Sequence, residues 1–378
     1  MLDSLSLEQK VGQLLFIGLP GPEIDSETRD LLEEVKPGGI CIFGRNVKSF
    51  EQLRSLNDRV RELLPTEPLI SIDQEGGLVD RLRRICTPMP SARVIRDHGD
   101  LAASRGLGRI TGEMLRRLGF NMNFAPVMDI ITPERDLLSN GLHSRAFGRS
   151  PGEALGYGMV YLRGLQNAGI IGCLKHFPGI GAGEVDSHDE IPMINLTHDD
   201  LIAQDLAPYI ELFLHRQTED VQVRCVMVSH GGFPRINLDT GKLSGRLEPA
   251  SINKEIITGL LREELGYRHL VVTDDMEMGA ILKHHPIGEA AKLAFAAGED
   301  MILICSTVSA VRESYSALLA GFHSGELSED SLNESLRRIA ASKGIAKEPL
   351  PFDAGELKEL SDEVAALNAK LNYSYGGR

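Results

Sequence analysis

No tryptophan occurs in the 378-residue sequence, and phenylalanine and tyrosine together make up only 5% of it. That argues against an extended ligand groove floored by stacking rings and fits a pocket closing on one small ligand. A basic surplus is also missing. Forty Lys and Arg against 54 Asp and Glu give a formal charge of −14 and a pI near 5.3, so no cationic patch is available to neutralise phosphates and nucleic acid is not an expected partner. No apolar run approaches the roughly 18 residues of a membrane span. The opening stretch MLDSLSLEQKVGQLL shows no cationic start, apolar middle or small-residue cleavage site. Cysteine is scarce and odd in number: Cys41, Cys173, Cys225 and Cys305 lie in apolar runs, and Cys86 stands outside any C-x-x-C spacing. The expectation is buried free thiols in a reducing compartment, hence a cytoplasmic protein with no membrane partner.

What is present is a regular alternation. Eight short apolar runs recur: LLFIG (14–18), GICIFG (39–44), LISID (69–73), NFAPV (123–127), GCLKHF (172–177), CVMVSH (225–230), LVVTD (270–274) and MILIC (301–305). Their β-branched content and lack of strict alternation suit strands buried on both faces. Helical segments lie between them. ASINKEIITGLLREELG (250–266) has Ile252, Ile256, Leu260 and Leu261 at helical spacing with Gly266 as a stop, TGEMLRRLG (111–119) ends alike, and Thr197 with Asp200 forms a capping box. Eight strand–helix alternations predict an α/β fold, a (β/α)8 TIM barrel in a single domain, with a doubly wound open sheet as the competing architecture. The expected barrel spans 1–345, and 346–378 is expected to form a charged helical tail.

Functional groups of such a barrel gather where its strands end. Asp73, Asp129, Lys175, His176, His230 and Asp274 fall at or near those ends. After the fifth run comes KHFPGIGAGEVDSH (175–188), which admits three readings. A phosphate cradle needs G-x-G-x-x-G, whereas Gly179, Gly181 and Gly183 have G-x-G-x-G spacing and are followed by Glu184, Asp186, Asp189 and Glu190, which would repel phosphate. A metal site would enlist His176, Asp186, His188 and Asp274, but it lacks the tight H-x-H or H-E-x-x-H spacing. The third reading is a glycine-rich loop carrying an acid. A lone D-x-H elsewhere would be a turn with a solvated histidine; here it follows a strand end bearing Lys175 and His176.

Together, KHFPGIGAGEVDSH, IDQEGGLVDRL (72–82), FAPVMDI (124–130), SRAFG (144–148) and VVTDDMEMGAI (271–281) resemble glycoside hydrolase family 3, specifically its single-domain β-N-acetylglucosaminidases of the NagZ type, from about residue 5 to about residue 345. The resemblance implies a retaining exo-β-N-acetylglucosaminidase acting on a GlcNAc-containing muropeptide in peptidoglycan recycling, with no cofactor and no metal. It implies that Asp274 is the nucleophile that forms a covalent glycosyl-enzyme. Asp275 is the rival by position, and periodicity does not choose between them. The acid/base maps to His188 and its partner to Asp186, since a nearby carboxylate orients an imidazole and favours its protonated form. Asp73, Arg81, Arg145, Lys175 and His176 map to sugar binding, although Arg81 or Arg145 taken alone could equally be a structural ion pair. His230 and Asp129 are expected to hold loops, and Glu75 and Glu277 to support neighbours or cap helices. Two positions depart from the family pattern: Ile180 stands where a second loop histidine is usual, and Leu78 where arginine is usual. The alternatives are an N-acetylglucosaminide phosphorylase of the same family, a metal-dependent barrel hydrolase, and a non-catalytic sugar-binding protein.

Overall fold

The computed structural model describes residues 5–215, 221–236 and 247–375. Eight parallel strands wind once around an axis: β1 (Leu15–Gly18), β2 (Gly39–Ile42), β3 (Leu69–Ile72), β4 (Met122–Asn123), β5 (Ile171–Phe177), β6 (Cys225–Val228), β7 (Leu270–Asp275) and β8 (Met301–Ile304). Their neighbour order is β3-β2-β1-β8-β7-β6-β5-β4. Every residue of the first six and of β8 is buried, as parallel strands covered on both faces require. The expected barrel is therefore the observed architecture, and an open doubly wound sheet is not.

The join between β3 and β4 is made partly by side chains. Backbone bonds run from Asn121 N to Ile70 O (3.2 Å) and from Phe124 N to Ile72 O (2.9 Å). Asn121 Oδ1 accepts from Ile70 N and its Nδ2 donates to Pro68 O, while Asn123 Oδ1 accepts from Gln74 N and its Nδ2 donates to Gln74 O. Each amide side chain imitates a peptide unit and completes the ladder where the short β4 cannot. The run expected as a strand over 123–127 stops at Asn123 because Pro126 has no N–H, yet pairing continues through Cys173 N to Ala125 O and Lys175 N to Pro126 O.

Helices start where the caps foretell. Thr197 and Asp200 form the capping box of helix His198–Ala203; the chain leaves the helix at Gln204 (φ −122°, ψ −82°) and resumes it at Ala207–Ile210 with Pro208 in the first turn, where its missing N–H costs nothing. Glu255–Glu264 is helical as expected but wound as a π-helix. Over ten residues both windings keep i and i+4 on one face, so apolar spacing does not separate them. Gly266 (φ +68°) and Gly119 (φ +88°) end their segments as expected. Beyond the barrel, helix Ala354–Lys370 lays Leu357, Leu360 and Val364 into the same apolar core as the strands.

Candidate active site

The eight side chains mapped to catalysis and sugar binding all line one cavity of about 730 Å³, mouth included, at the C-terminal ends of the strands. Asp73 follows β3, Lys175 and His176 end β5 and are joined by a cis peptide, and Asp274 ends β7. Arg81 arrives on a hairpin, Gln74–Gly76 with Val79–Asp80, whose turn sits on Gly76 (φ +93°) and Gly77 (φ +59°). A Cβ at Gly76 would lie 2.3 Å from Pro90 O, so the EGG motif is a steric requirement of the turn. The hairpin brings Arg81 Nη2 within 3.8 Å of Asp73 Oδ2.

Cations and carboxylates interlock on the cavity wall. Lys175 Nζ reaches Asp73 Oδ1 at 2.6 Å and Glu75 Oε1 at 2.5 Å. Arg145 clasps Glu75 with both Nε (2.8 Å) and Nη2 (2.9 Å). Burial alone would raise the Glu75 carboxyl, but Arg145 and Lys175 hold it well below the usual carboxylate range. Burial would likewise lower Lys175, and Asp73 and Glu75 outweigh it and raise the ammonium instead. Glu75 thus holds two of the expected sugar-binding cations in place. It supports its neighbours as expected, but which neighbours was hidden in the sequence because Arg145 is 70 positions away.

Two histidine–aspartate pairs share the cavity with the same 2.7 Å contact at Nδ1. In one, Asp129 Oδ2 accepts from His176, while Asp129 Oδ1 accepts the Ile180 N–H at 2.8 Å and so anchors the start of the glycine-rich loop. His176 is buried, and its Nε2 lies 3.4 Å from Arg145. In the other, Asp186 Oδ1 pairs with His188, whose side chain is 70% exposed. Exposure distinguishes them: the His176 side chain is enclosed, and that of His188 opens to solvent. Burial would raise the Asp186 carboxyl, but the His188 backbone N–H and ring hold it below the usual value, so it remains an anion that orients the imidazole. Asn140, not anticipated from the sequence, donates to Gly181 O (3.0 Å) and Gly183 O (3.2 Å) and pins the loop from the far side.

Asp274 and Asp275 occupy opposite electrostatic settings. For Asp274 burial is outweighed by His230, His176, the Asp275 N–H and Lys175, and its carboxyl is lowered. For Asp275 burial dominates, with Glu277 and Asp274 adding repulsion, and its carboxyl is raised to about 7 although it accepts from Glu277 N and Cys305 N. Asp274 is therefore the ionised member of the pair. His230 Nδ1 pairs with the Ser251 hydroxyl (2.7 Å) and its Nε2 donates to Asp275 O (2.9 Å), while burial lowers its basicity. It ties β6 to β7, the loop-holding part expected of it. Glu277 accepts from Ser306 N, Thr307 N and Thr307 Oγ1 ahead of helix Val308–Ser324, a cap as expected. Ile180 is buried and lines the cavity, whereas Leu78 is exposed on the hairpin turn. Among the described residues no group of three or more His, Cys, Asp or Glu could hold a metal ion.

Residues 6–342 match the Glycosyl hydrolase family 3 N terminal domain. The chain is 33% identical over 303 residues to a β-hexosaminidase of Alkalilimnicola ehrlichii, covering 79% of this chain and 82% of that protein. It is 32% identical over 302 residues to a β-hexosaminidase of Vibrio cholerae serotype O1, covering 79% and 84%. A solved family 3 β-N-acetylglucosaminidase from Paenibacillus sp. FPU-7 superposes with a TM-score of 0.86 at 34% identity, over 96% of this chain and 69% of that one.

Proposed function

The chain belongs to glycosyl hydrolase family 3 and is a glycoside hydrolase, and we propose that it is a retaining exo-β-N-acetylglucosaminidase that removes a terminal non-reducing GlcNAc. Asp274 attacks the anomeric carbon, and His188 Nε2–H protonates the departing oxygen while Asp186 orients the ring. Asp274 is then displaced by water, from which His188 takes the proton. The observation that carries this reading is the pairing in one cavity of an ionised strand-end carboxylate with an exposed, carboxylate-oriented imidazole. Asp73, Arg81, Arg145, Lys175 and His176 form the sugar's polar ring: Asp73 accepts from hydroxyls, and the cations fix that acceptor. A cavity of this size suits a single terminal sugar.

The substrate we assign is a muropeptide, GlcNAc joined to an anhydro-muramoyl peptide, turned over in the cytoplasm during peptidoglycan recycling. The unpaired state of all five cysteines supports that compartment. Product analysis tests the reaction. Proton NMR of a GlcNAc-terminated muropeptide digest should show β-GlcNAc appearing first, with the same product in phosphate buffer. Initial release of α-GlcNAc would contradict retention, and N-acetylglucosamine 1-phosphate as the main product would make the enzyme a phosphorylase.

A further inference from the structure

Gly279 lies outside the cavity lining, at the start of helix Gly279–Leu282 four residues after Asp275. Its N–H donates to His188 O at 3.0 Å, and the next N–H, of Ala280, donates to Ser187 O at 3.3 Å. A Cβ at this glycine would lie 2.6 Å from His188 O and 2.7 Å from Asp189 O, both backbone atoms. The loop bearing the Asp186–His188 pair thus rests directly on backbone that continues from the Asp274 strand. Beyond the contact, Glu190 meets Lys283 Nζ (3.1 Å) and His284 Nε2 (3.0 Å). On the other side Gly141 (φ +72°) leaves room for Asp186, whose Oδ2 would lie 2.8 Å from a Cβ there.

We propose that Gly279 is a positioning residue for the acid/base: it is the seat on which the His188 loop docks, and it sets the distance between the proton donor and the Asp274 nucleophile. This deepens the glycosidase reading and rests on it. No other residue type permits the approach, because both clashing atoms are main chain and neither can turn aside. The backbone of Gly279 itself is not in the left-handed region, so alanine is compatible with the helix start and only the seat is lost. Glu190, Lys283 and His284 are solvent-facing and add a weaker hold.

Gly279→Ala tests this. Displacing the donor by about 1 Å should lower kcat/KM for a GlcNAc disaccharide, whose leaving alkoxide needs a proton, by about 10²-fold. The glycosylation step on a dinitrophenyl N-acetylglucosaminide, whose phenolate leaves unaided, should change by less than about threefold. Tm should fall by no more than a few degrees, because what is lost is the contact of one surface loop and not core packing. Glu190→Gln should show the same split, smaller. Equal loss on both substrates, or an unchanged disaccharide rate, would overturn the proposal. Amide exchange at positions 279 and 280 reads docking without turnover: slow in the parent, it should become fast in Gly279→Ala, and retained protection would also overturn it. A parent protein that cleaves neither substrate would defeat the glycosidase reading, while the exchange measurement still decides whether the loop is seated there.

Discussion

Asp274 and Asp275 are the same residue type one position apart, and only their surroundings make them different groups. The alternation of side chains along β7 turns one toward the cavity cations and leaves the other to Glu277 N and Cys305 N. The TDD motif and strand end were legible in the sequence; the electrostatic choice within it was not, because His230 and His176 reach Asp274 from two other strands. The same holds for the histidines. His176 and His188 both have an aspartate at Nδ1, and only burial in the folded barrel separates the fixed one from the free one. From this follows a test at single residues. His188→Ala should slow disaccharide cleavage by about 10² to 10⁴, with far less loss in glycosylation by a dinitrophenyl glycoside. In the pH profile of kcat/KM the acidic limb should lie below the ordinary aspartate range, because Asp274 is lowered and stays ionised there. Asp186→Ala removes the carboxylate that orients the His188 ring, so it should show the same split between the two substrates in milder form. Equal loss on both substrates in Asp186→Ala would contradict the pairing.

At the scale of elements, the strands and the order of loops could be read from apolar runs, since parallel strands buried on both faces leave that trace. Three features left weaker traces. The hairpin carrying Arg81 is only a few residues long, and its glycines signal a turn but not what the turn aims at. Asn140 acts on Gly181 and Gly183 from a loop 41 positions away from the first of them. The β3–β4 join depends on Asn121 and Asn123, polar residues beside a buried strand that a hydrophobic pattern passes over. That join makes a prediction. Asn121→Ala strands the Ile70 N–H and the Pro68 carbonyl, each a buried group worth about 1–3 kcal/mol when left unsatisfied. Denaturant unfolding should show a loss of about 2–4 kcal/mol, with the ratio of disaccharide to dinitrophenyl rates unchanged. A variant as stable as the parent would mean that the amide side chains do not close the barrel.

For the whole molecule, one buried carboxyl stands apart among the described residues because nothing pairs with it. Glu299, just before β8, is fully buried, and neither of its oxygens has a hydrogen-bond partner among the described residues. Burial, with Asp300 adding repulsion, raises it well above 4.5, so the fold keeps it protonated. A group raised on folding contributes stability at low pH that declines as pH rises above the unfolded value. Glu299→Met should therefore stabilise the protein by about 1–3 kcal/mol near pH 8 and less near pH 5, read from unfolding curves at the two values. Equal or lower stability at pH 8 would show that the carboxyl is paired. Tail helix Ala354–Lys370 adds its apolar face to the core and its Ser361 and Asn368 side chains to Thr87 and Pro88. Its existence was legible in the sequence, and its docking, through contacts some 270 positions apart, was not. What the assembled barrel does with a terminal sugar can be read by trapping the enzyme in mid-reaction. A fluorinated N-acetylglucosaminide whose glycosyl-enzyme forms faster than it breaks down should add one sugar mass, and peptide mass spectrometry should locate it on Asp274. A label on Asp275, or none while the sugar is still turned over, would contradict the account.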